Sequence, residues 1–412
     1  MATVRGITGI DLYGDPPPDA EGPLAGVLVV DLTRARSGPT CVRQLADLGA
    51  DVIAIVAPSG GGPFSSEGSD GANLQRNKRS MVVDLTTDDG RAVFLRLVAR
   101  ADVVVENFRP AVKHRLGIDP DAVWAVNPRV VYASISGFGQ TGPYADHPGV
   151  DQIAQGLGGL MSVTGPPGTG PSRVGIAISD TASGTVLTQA VLAALIARER
   201  TGRGQWVHTS LLETMVNFMD FQAARWLIDG EVPGQTGNHH PTITPMGTFA
   251  TADGWINVAP TGDFPGFCTL VGAPELATDA RYESFTSRRE HRAELEAAIT
   301  EVMARRTTAE WLAVLAGVIP CGPVLAIDEV FADPQVEHLH LTRTVPHPTR
   351  GDIEVLRHPV TFSDTPTTIR SGPPLATAHT REVLGELGYT DDEIDALAAA
   401  GAIDTGQPDQ EQ

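Results

Sequence analysis

One carboxylate, Asp180, lies between a short apolar run and a long apolar segment of the sequence. The segment behind it, residues 185–198, is dominated by Val, Leu, Ile and Ala and ends at the polar residues 201–204. This pattern predicts a buried helix with Asp180 in its first turn. There the unpaired backbone N–H groups and the positive end of the helix dipole favour an ionised and oriented carboxylate. A plain N-cap role for Ser179 or Asp180 is the more common explanation of such a local sequence.

Residues 137–142 read Gly-Phe-Gly-Gln-Thr-Gly and match the G-x-G-x-x-G pattern after a predicted strand. The following residues, with Pro143 and Pro148, cannot form the helix whose N-terminus would receive a pyrophosphate. Nicotinamide binding is therefore disfavoured, and a backbone-lined loop beside a ligand is the better interpretation.

Other candidate residues form no complete motif. His239 and His240 are adjacent, and neighbouring residues rarely chelate one ion, so a loop contact or hydrogen bond is expected there and no metal site. Ser179 and Ser210 lack the G-x-S-x-G elbow of serine hydrolases.

The elements that must hold these residues alternate between strands and helices. From residue 24 onward, short apolar runs alternate with helical ones, which predicts an α/β fold with a parallel sheet. An Asp-Gly pair between two apolar runs predicts a hairpin near residue 253, and a capping box at residue 390 opens a last helix. The predicted strands are residues 27–32, 52–56, 81–85, 103–106, 130–135 and 206–210, and the predicted helices include 39–48, 88–100, 121–126, 211–227, 288–305 and 308–315.

The composition of the sequence changes after residue 229, where Gly, Pro, Thr and His become frequent. We therefore predict a smaller α+β domain at residues 230–330, inserted into a large domain made of residues 23–229 and a return segment at 331–412. Residues 1–22 contain a Pro-rich acidic piece, which predicts a flexible extension.

Composition excludes several classes of partner. The 412 residues carry 50 acidic and 30 basic side chains, a net charge of -20, which disfavours nucleic-acid and anionic-membrane surfaces. An anionic ligand then needs a locally basic pocket. The three cysteines are far apart and form no C-x-x-C pair, which argues against a disulfide framework and favours the cytoplasm. No run is expected to approach the roughly 20 apolar residues of a membrane helix.

Taken together, the motifs resemble the class III CoA-transferases of the CaiB/BaiF type, a family that includes formyl-CoA transferases and the 2-methylacyl-CoA racemases. The resemblance runs from about residue 24 to residue 401. It implies a Rossmann-like large domain built from both chain ends and a homodimer of interlocked rings. The matching blocks are residues 30–33 with 37–39, 48–53, 77–80 with 84–85, 105–110, 134–139, 175–184, 201–205, 319–324 and 379–388.

The resemblance implies an acyl-CoA:carboxylate CoA-transferase. Asp180 would attack the donor thioester to form a mixed anhydride and then an aspartyl-CoA thioester, from which a small carboxylic acid takes the CoA. Coenzyme A is then part of a substrate, and no tightly bound cofactor is expected. The expected active-site loop, whose backbone N–H groups would stabilise an oxyanion, is Gly137, Phe138, Gly139 and Gln140. Positions that match the family's CoA contacts are Ala35, Arg36, Val83, Leu85, Asn107, Phe108, Arg115, Leu116 and Ser136, and possible substrate contacts are Asn238 and His239.

The sequence departs from the family where CoA phosphates are usually bound. The family carries a Lys and a Glu in the second strand, followed by basic residues, and this chain has Ala54, Val56 and Ala57 there. Phosphate contacts then fall to Arg115, to Arg36 or to the basic cluster at residues 76–79, which is otherwise a solvated turn. Arg36 stands where the family often has Gln or Leu, and it would clamp an acceptor carboxylate or reach CoA.

A further departure separates transfer from racemisation. Racemases pair their Asp with a His in a Gly-His-Asp sequence, and this chain reads Gly149-Val150-Asp151. Val150 supplies no second acid or base for proton exchange at the α-carbon. A CoA-transferase is the leading prediction. The alternatives are a racemase that uses His147 and a non-catalytic CoA-binding paralogue.

Overall fold

The computed structural model describes residues 21–58 and 68–406. The predicted N-terminal extension lies almost entirely outside these residues. The strands are β1 Leu28–Asp31, β2 Asp51–Val56, β3 Lys78–Val83, β4 Val103–Glu106, β5 Val131–Ser136, β6 Trp206–Ser210, β7 Gly247–Ala250, β8 Trp255–Val258, β9 Cys321–Pro323, β10 Thr342–His347, β11 Gly351–Leu356 and β12 Ile403–Asp404.

The helices in the first half of the chain are α1 Ser37–Asp47, α2 Ser69–Gln75, α3 Asp88–Val98, α4 Pro110–Leu116, α5 Pro120–Val126, α6 Asp151–Leu157, α7 Leu160–Val163, α8 Ile178–Thr201, α9 Leu211–Phe218 and α10 Asp220–Asp229. Those in the second half are α11 Phe264–Leu270, α12 Glu275–Thr278, α13 Phe285–Glu290, α14 Arg292–Met303, α15 Thr308–Leu315, α16 Ile327–Val330, α17 Pro334–His338, α18 Thr380–Glu386 and α19 Asp391–Ala399.

The chain divides into two compact units. The first contains the described residues up to Gly159, then Gly175–Ala223 and the residues from Glu337 onward. The second contains Leu160–Val174 and Ala224–Val336. Residues 160–174 thus belong to the second unit, whereas the sequence placed them in the large domain.

A seven-stranded sheet forms the centre of the first unit, in the order β12-β3-β2-β1-β4-β5-β6. The six strands from β1 to β6 are parallel, and β12 alone is antiparallel to its neighbour β3. The order 3-2-1-4-5-6 is that of doubly wound dinucleotide-type folds, so the predicted α/β fold with a parallel sheet is confirmed. Strand order reverses between β1 and β4. Ligands of such folds bind outside the carboxyl ends of the strands at this reversal.

Helix α8 is a core element of the first unit. Its residues Leu187, Val191 and Ala194 are buried, and it packs against α1. Among the described residues, α8 is the one helix long and apolar enough to cross a membrane, contrary to the expectation that no run approaches that length. In its most apolar window, however, 44% of the residues are buried inside this fold, as in the core helix of a globular unit.

The second unit is built on a small antiparallel sheet. Strands β7 and β8 form the predicted hairpin, and β9 pairs with β8. Buried aromatic side chains, among them Phe249, Phe267 and Trp311, form its core.

Two predicted helices are interrupted. The helix expected at residues 211–227 is split into α9 and α10 because Asp220 has a φ of 42°, in the left-handed region that breaks a right-handed helix. The helix expected at residues 288–305 is divided at His291 into α13 and α14.

Candidate active site

The loops after β1 and β4 are tied together where the strand order reverses. The backbone N–H of Arg34 donates to Asn107 Oδ1 at 2.9 Å, and Asn107 Nδ2 donates to the Arg34 carbonyl at 2.7 Å. Ala35 takes a left-handed conformation with a φ of 62°, and the Arg34 guanidinium lies 5.5 Å from the Phe108 ring centroid. The turn after β1 is therefore held in a defined shape by the loop after β4.

The residues predicted to contact CoA fall around the carboxyl ends of the strands. Ala35 and Arg36 follow β1, Asn107 and Phe108 follow β4, and Ser136 ends β5. The remaining four are Val83, the last residue of β3, Leu85 just after it, and Arg115 and Leu116 in the last turn of α4. Their CoA contacts remain predictions.

Asp180 lies in the first turn of α8, as predicted, but it is not a cap. The N-cap residue of α8 is Ala177, and no side chain caps it. The carboxylate that meets this helix terminus belongs to Asp151, whose Oδ1 accepts from the Ser179 backbone N–H at 2.9 Å and from the Ser179 hydroxyl at 2.8 Å. The N-cap explanation is therefore wrong for both Ser179 and Asp180.

The electrostatic environment of Asp180 differs from the expectation. The pKa of Asp180 is raised to about 6, chiefly by burial and then by the nearby Asp151, while Arg36 and a hydrogen bond with Ser37 act in the opposite direction. The helix terminus does not hold the pKa of Asp180 at or below its ordinary value, because the effect of desolvation is larger. A group with this pKa is still about nine-tenths ionised at pH 7.

A glycine brings Asp180 close to the start of α1. A Cβ atom on Gly184 would lie 2.5 Å from the Ser37 carbonyl oxygen, so only glycine permits this approach of α8 to α1. The contact explains how Ser37, the first residue of α1, reaches the Asp180 carboxylate.

Arg36 occupies the N-cap position of α1, beside Ser37. Its Nη2 lies 2.5 Å from Asp70 Oδ2 on α2, and the two side chains are 32% and 31% exposed. Asp70 also acts on Asp180, raising its pKa slightly. A partly exposed ion pair therefore lies within electrostatic reach of the candidate nucleophile.

The Gly137–Gln140 loop is anchored by a close approach of two glycines. A Cβ on Gly137 would lie 2.6 Å from the Gly149 Cα atom. The Gly139 N–H donates to the Ser136 hydroxyl at 3.0 Å. The Gly139 N–H is therefore engaged within the loop in this structure, and its role toward an oxyanion stays a prediction. Phe138 and Gln140 remain partly exposed at the same loop.

Gln140 is fixed by a buried lysine that the sequence did not single out. Lys113 Nζ, on α4, donates to Gln140 Oε1, lies 3.1 Å from Glu106 Oε1, and sits 4.9 Å from the Trp206 ring centroid. Lys113 and Glu106 are both essentially inaccessible to solvent. The Nε2 atom of Gln140 is buried and has no hydrogen-bond partner among residues 21–58 and 68–406.

Both predictions for the basic cluster at residues 76–79 are wrong, because it forms neither a phosphate site nor a solvated turn. Arg76 and Lys78 are buried, and Arg79 lies on β3. Each cation is paired with a carboxylate: Arg76 with Asp47 at 2.6 Å, Lys78 with Asp31 at 2.9 Å, and Arg79 with Asp51 at 2.6 Å. Strand β3 begins three residues before the predicted one, which carries Lys78 into the sheet. Of the predicted phosphate contacts, Arg115 is exposed on α4.

The predicted substrate contacts Asn238 and His239 belong to the second unit. His239 Nδ1 lies 3.3 Å from Glu296 Oε1, its ring meets Phe249 edge-on, and burial lowers its pKa. Asn238 and His240 line a cavity of about 390 Å³ in the same unit. Within the described part of the chain, no group of three or more His, Cys, Asp or Glu side chains is placed to hold a metal ion.

Known proteins share this sequence and fold. The sequence pattern of CoA-transferase family III matches residues 24–380. A succinate–glutarate CoA-transferase of Agrobacterium fabrum is 38% identical over 387 residues, which cover 90% of this chain and 97% of that protein. An acetyl-CoA:oxalate CoA-transferase of Acetobacter aceti is 38% identical over 331 residues, or 77% and 85% of the two chains. The crystal structure of a CAIB/BAIF family protein from Brucella suis has a TM-score of 0.80 and 37% identity, covering 89% of this chain and 100% of that one.

Proposed function

The chain belongs to CoA-transferase family III, and from that membership we propose that Asp180 is its nucleophile in moving CoA from an acyl-CoA donor to a carboxylic acid. The observation that carries this proposal is the environment of Asp180. It is a carboxylate in the first turn of a helix where Asp151 accepts the bond from the Ser179 backbone N–H, and its pKa is raised to about 6. Burial strips water from the carboxylate and makes it more basic, and both effects favour attack on a thioester.

The proposed reaction begins with two substitutions. The Asp180 carboxylate attacks the thioester carbon of the donor, the C–S bond breaks, and CoA leaves as a thiolate from a mixed anhydride. The thiolate then attacks the Asp180 carbonyl carbon, which releases the donor acid as a carboxylate and leaves an aspartyl-CoA thioester.

Two matching substitutions complete it. The acceptor carboxylate attacks the aspartyl-CoA thioester to form a second anhydride and free the thiolate, which then attacks the acyl carbon of the acceptor. This step restores Asp180 and releases the new acyl-CoA. Because every nucleophile enters or is generated as an anion, no proton is moved and no general base is needed.

Each tetrahedral intermediate carries an oxyanion that requires hydrogen-bond donors. Since Gly139 is engaged with Ser136, the proposed donors of the loop are the backbone N–H groups of Gly137 and Phe138 and the side-chain amide of Gln140. Lys113 bonds the amide oxygen of Gln140 and so turns its Nε2 donor away from α4. Lys113 acts here as a positioning residue.

The acids exchanged are proposed to be small, with a dicarboxylic acid on at least one side. The similar proteins from Agrobacterium fabrum and Acetobacter aceti are named for succinate, glutarate and oxalate, which are all diacids.

A homodimer is also proposed. Its support is a run of exposed apolar side chains on and after α10, of which Leu227, Ile228 and Val232 are each more than three-quarters exposed.

The racemase alternative finds little support in the geometry. Val150, at the position of the racemase histidine, is aliphatic and 59% exposed. Asp151 is buried and its oxygens accept bonds from Ser179 and Gln155. His147 is exposed and stacks on Tyr144 at 5.2 Å between ring centroids.

Isotope exchange tests the proposal. Purified protein incubated with succinyl-CoA and labelled glutarate should yield labelled glutaryl-CoA, and Asp180→Ala should abolish this transfer while CoA binding, measured by calorimetry, persists. Asp146→Ala, which removes an exposed carboxylate from the loop before α6, is the matched control and should transfer normally. Turnover retained in Asp180→Ala would overturn the assignment. Washout of α-deuterium from a 2-methylacyl-CoA, without transfer, would instead favour the racemase.

A further inference from the structure

We propose that Arg36 selects dicarboxylic acids as acceptors by binding the carboxylate that does not react, and that Asp70 holds the Arg36 guanidinium until the acid arrives. The inference rests on the proposed role of Asp180, at which the other carboxylate of the acid reacts. It assigns a specificity-determining contact to a residue that stands outside the usual pattern of the family's sequences.

The position of Arg36 fits this role. It directly precedes Ser37, which hydrogen-bonds the Asp180 carboxylate, and its positive charge lowers the pKa of Asp180. A short diacid carries its two carboxylates a few methylene groups apart, a span comparable to that between neighbouring side chains. One carboxylate can therefore react at Asp180 while the other meets Arg36.

The existing ion pair leaves Arg36 able to bind a second anion. Among the residues that the structure describes, Arg36 contacts Asp70 through Nη2, whereas a guanidinium has five N–H donors and binds carboxylates best through two of them. Both side chains are about one-third exposed, and ion pairs of this kind contribute little stability. An incoming carboxylate can therefore join or replace Asp70 at little cost.

The carboxylates near Asp180 favour a cationic contact for the second carboxylate of a diacid. Asp151 and Asp70 both raise the pKa of Asp180 in this region, on a chain whose net charge is -20. The neighbouring buried cations are already committed, Lys78 to Asp31 and Lys113 to Glu106. Loss of Arg36 would leave the second negative charge of a diacid more strongly repelled by these carboxylates.

The test compares two acceptors of nearly equal shape. Succinate carries two carboxylates, and in succinamic acid an uncharged amide replaces one of them. With one fixed acyl-CoA donor, Arg36→Gln should lower kcat/KM for succinate about 10- to 100-fold, the effect expected for loss of a charge-assisted hydrogen-bond pair. The value for succinamic acid should change less than about threefold. Arg36→Lys should restore part of the preference, because it keeps the charge and loses the planar fork.

Two controls separate this role from a general one. Arg36→Gln also leaves Asp70 unpaired, and its charge would repel the second carboxylate of succinate more than the uncharged amide of succinamic acid. The double variant Arg36→Gln/Asp70→Asn removes this repulsion and should still lack the preference for succinate. Arg34→Gln removes the same charge from the same loop and should alter both acids equally.

A pH readout reports the location of Arg36 independently of the acceptor. Removing a cation that lowers the pKa of Asp180 should move the acid limb of the donor half-reaction to higher pH. Equal losses for succinate and succinamic acid in Arg36→Gln, with an unshifted acid limb, would overturn the inference and leave the transferase proposal intact. Failure of the wild-type protein to form an acyl adduct on Asp180 would instead overturn the transferase proposal itself.

Discussion

Asp180, the proposed nucleophile, differs in its contacts from a structural carboxylate at the same helix terminus. Two aspartates lie near the start of α8, and Asp151 accepts the hydrogen bonds that a helix terminus offers. Within the described part of the chain, Ser37 is the side chain that donates to Asp180, which also experiences the unfavourable effects of burial and of its acidic neighbour. Its raised pKa means that the ionised form is less stable in the folded protein than in water.

This arrangement predicts that the nucleophile reduces stability at neutral pH. A folded-state pKa of about 6 against 3.8 means that the stability supplied by protonated Asp180 is present below about pH 4 and is lost as the pH rises through 6. The difference corresponds to at most about 3 kcal/mol, and partial exposure reduces the expected effect. Asp180→Asn should therefore raise the free energy of unfolding at pH 7.5 by about 1–2 kcal/mol and change it little at pH 4, as measured by urea denaturation.

Asp151→Asn is the contrasting variant, because it weakens the bonds to Ser179 and should destabilise the protein at pH 7.5 by about 1 kcal/mol or more. If Asp180→Asn destabilised the protein at pH 7.5 as much as Asp151→Asn does, Asp180 would be a structural carboxylate after all.

The same pKa predicts the pH dependence of the first step. Only the carboxylate form of Asp180 attacks, so the rate of adduct formation should fall about tenfold per pH unit below 6 and level off above 7. Rapid-quench measurement of single-turnover adduct formation from acetyl-CoA checks this, because the acetyl group has no ionisable carboxylate in that range. A profile that stays flat down to pH 4.5 would mean that the Asp180 carboxylate is not desolvated.

At the scale of elements, the site is built from loops that meet at the carboxyl ends of parallel strands. The loop after β5 touches the residues before α6 through Gly137 and Gly149, and the first residue of α6, Asp151, holds the start of α8. A displacement of the Gly137–Gln140 loop is therefore transmitted to Asp180 through a short series of contacts.

Gly137→Ala tests this connection. Its Cβ would lie 2.6 Å from the Gly149 Cα atom, so the two loops must separate, at an expected cost of about 1–3 kcal/mol in the free energy of unfolding. The rate of transfer should fall at least tenfold, as for other small misplacements of catalytic groups. Gly175→Ala is the matched control, since a Cβ there meets no atom within 4 Å and should leave both quantities nearly unchanged. Normal transfer by a destabilised Gly137→Ala protein would show that loop position does not govern Asp180.

The buried pair Lys113–Glu106 yields a prediction of a different kind. Lys113→Met leaves Glu106 buried without its cation and should destabilise the protein by about 3–5 kcal/mol. The double variant Lys113→Met/Glu106→Gln should recover much of this loss and still transfer CoA slowly, because Gln140 has lost the lysine that orients its amide. Chemical denaturation and transfer assays of both variants measure the two effects. Full activity in the stable double variant would remove Lys113 from the positioning of Gln140.

For the whole molecule, chain order and hydrophobic pattern predicted the parallel sheet correctly. Strands such as β4, whose three valines are fully buried, read as continuous apolar runs because both faces of the sheet are covered. The approach of Ser37 to Asp180 depends on Gly184, which lies 147 residues along the chain from Ser37. No local sequence pattern predicts this contact.

The roles of charged residues were the least predictable feature. Lys78 and Arg76 look like a basic surface in the sequence, and only the register of β3 and the placement of α1 reveal Asp31 and Asp47 as their partners. Lys113 was missed for the same reason, since its partners Glu106, Gln140 and Trp206 come together only after three strands have been placed side by side.

The proposed homodimer also belongs to this scale. Leu227 and Ile228 are about 80% exposed, and adjacent large apolar side chains at that exposure favour burial against another protein surface. Leu227→Asp/Ile228→Asp should shift the molar mass measured by light scattering from two chains to one. Val126→Asp, on α5, changes a separate exposed valine and should not alter the mass. A wild-type protein that is monomeric and fully active would contradict the proposal.

The central claim, that Asp180 forms a covalent intermediate, is tested most directly by trapping. The protein is incubated with succinyl-CoA and hydroxylamine without an acceptor acid, and its peptides are mapped by mass spectrometry. Hydroxylamine converts an aspartyl anhydride or thioester to an aspartyl hydroxamate. We expect that modification on Asp180 alone, dependent on the thioester and absent from Asp180→Asn. An unmodified Asp180 peptide in a preparation that still transfers CoA would contradict the claim.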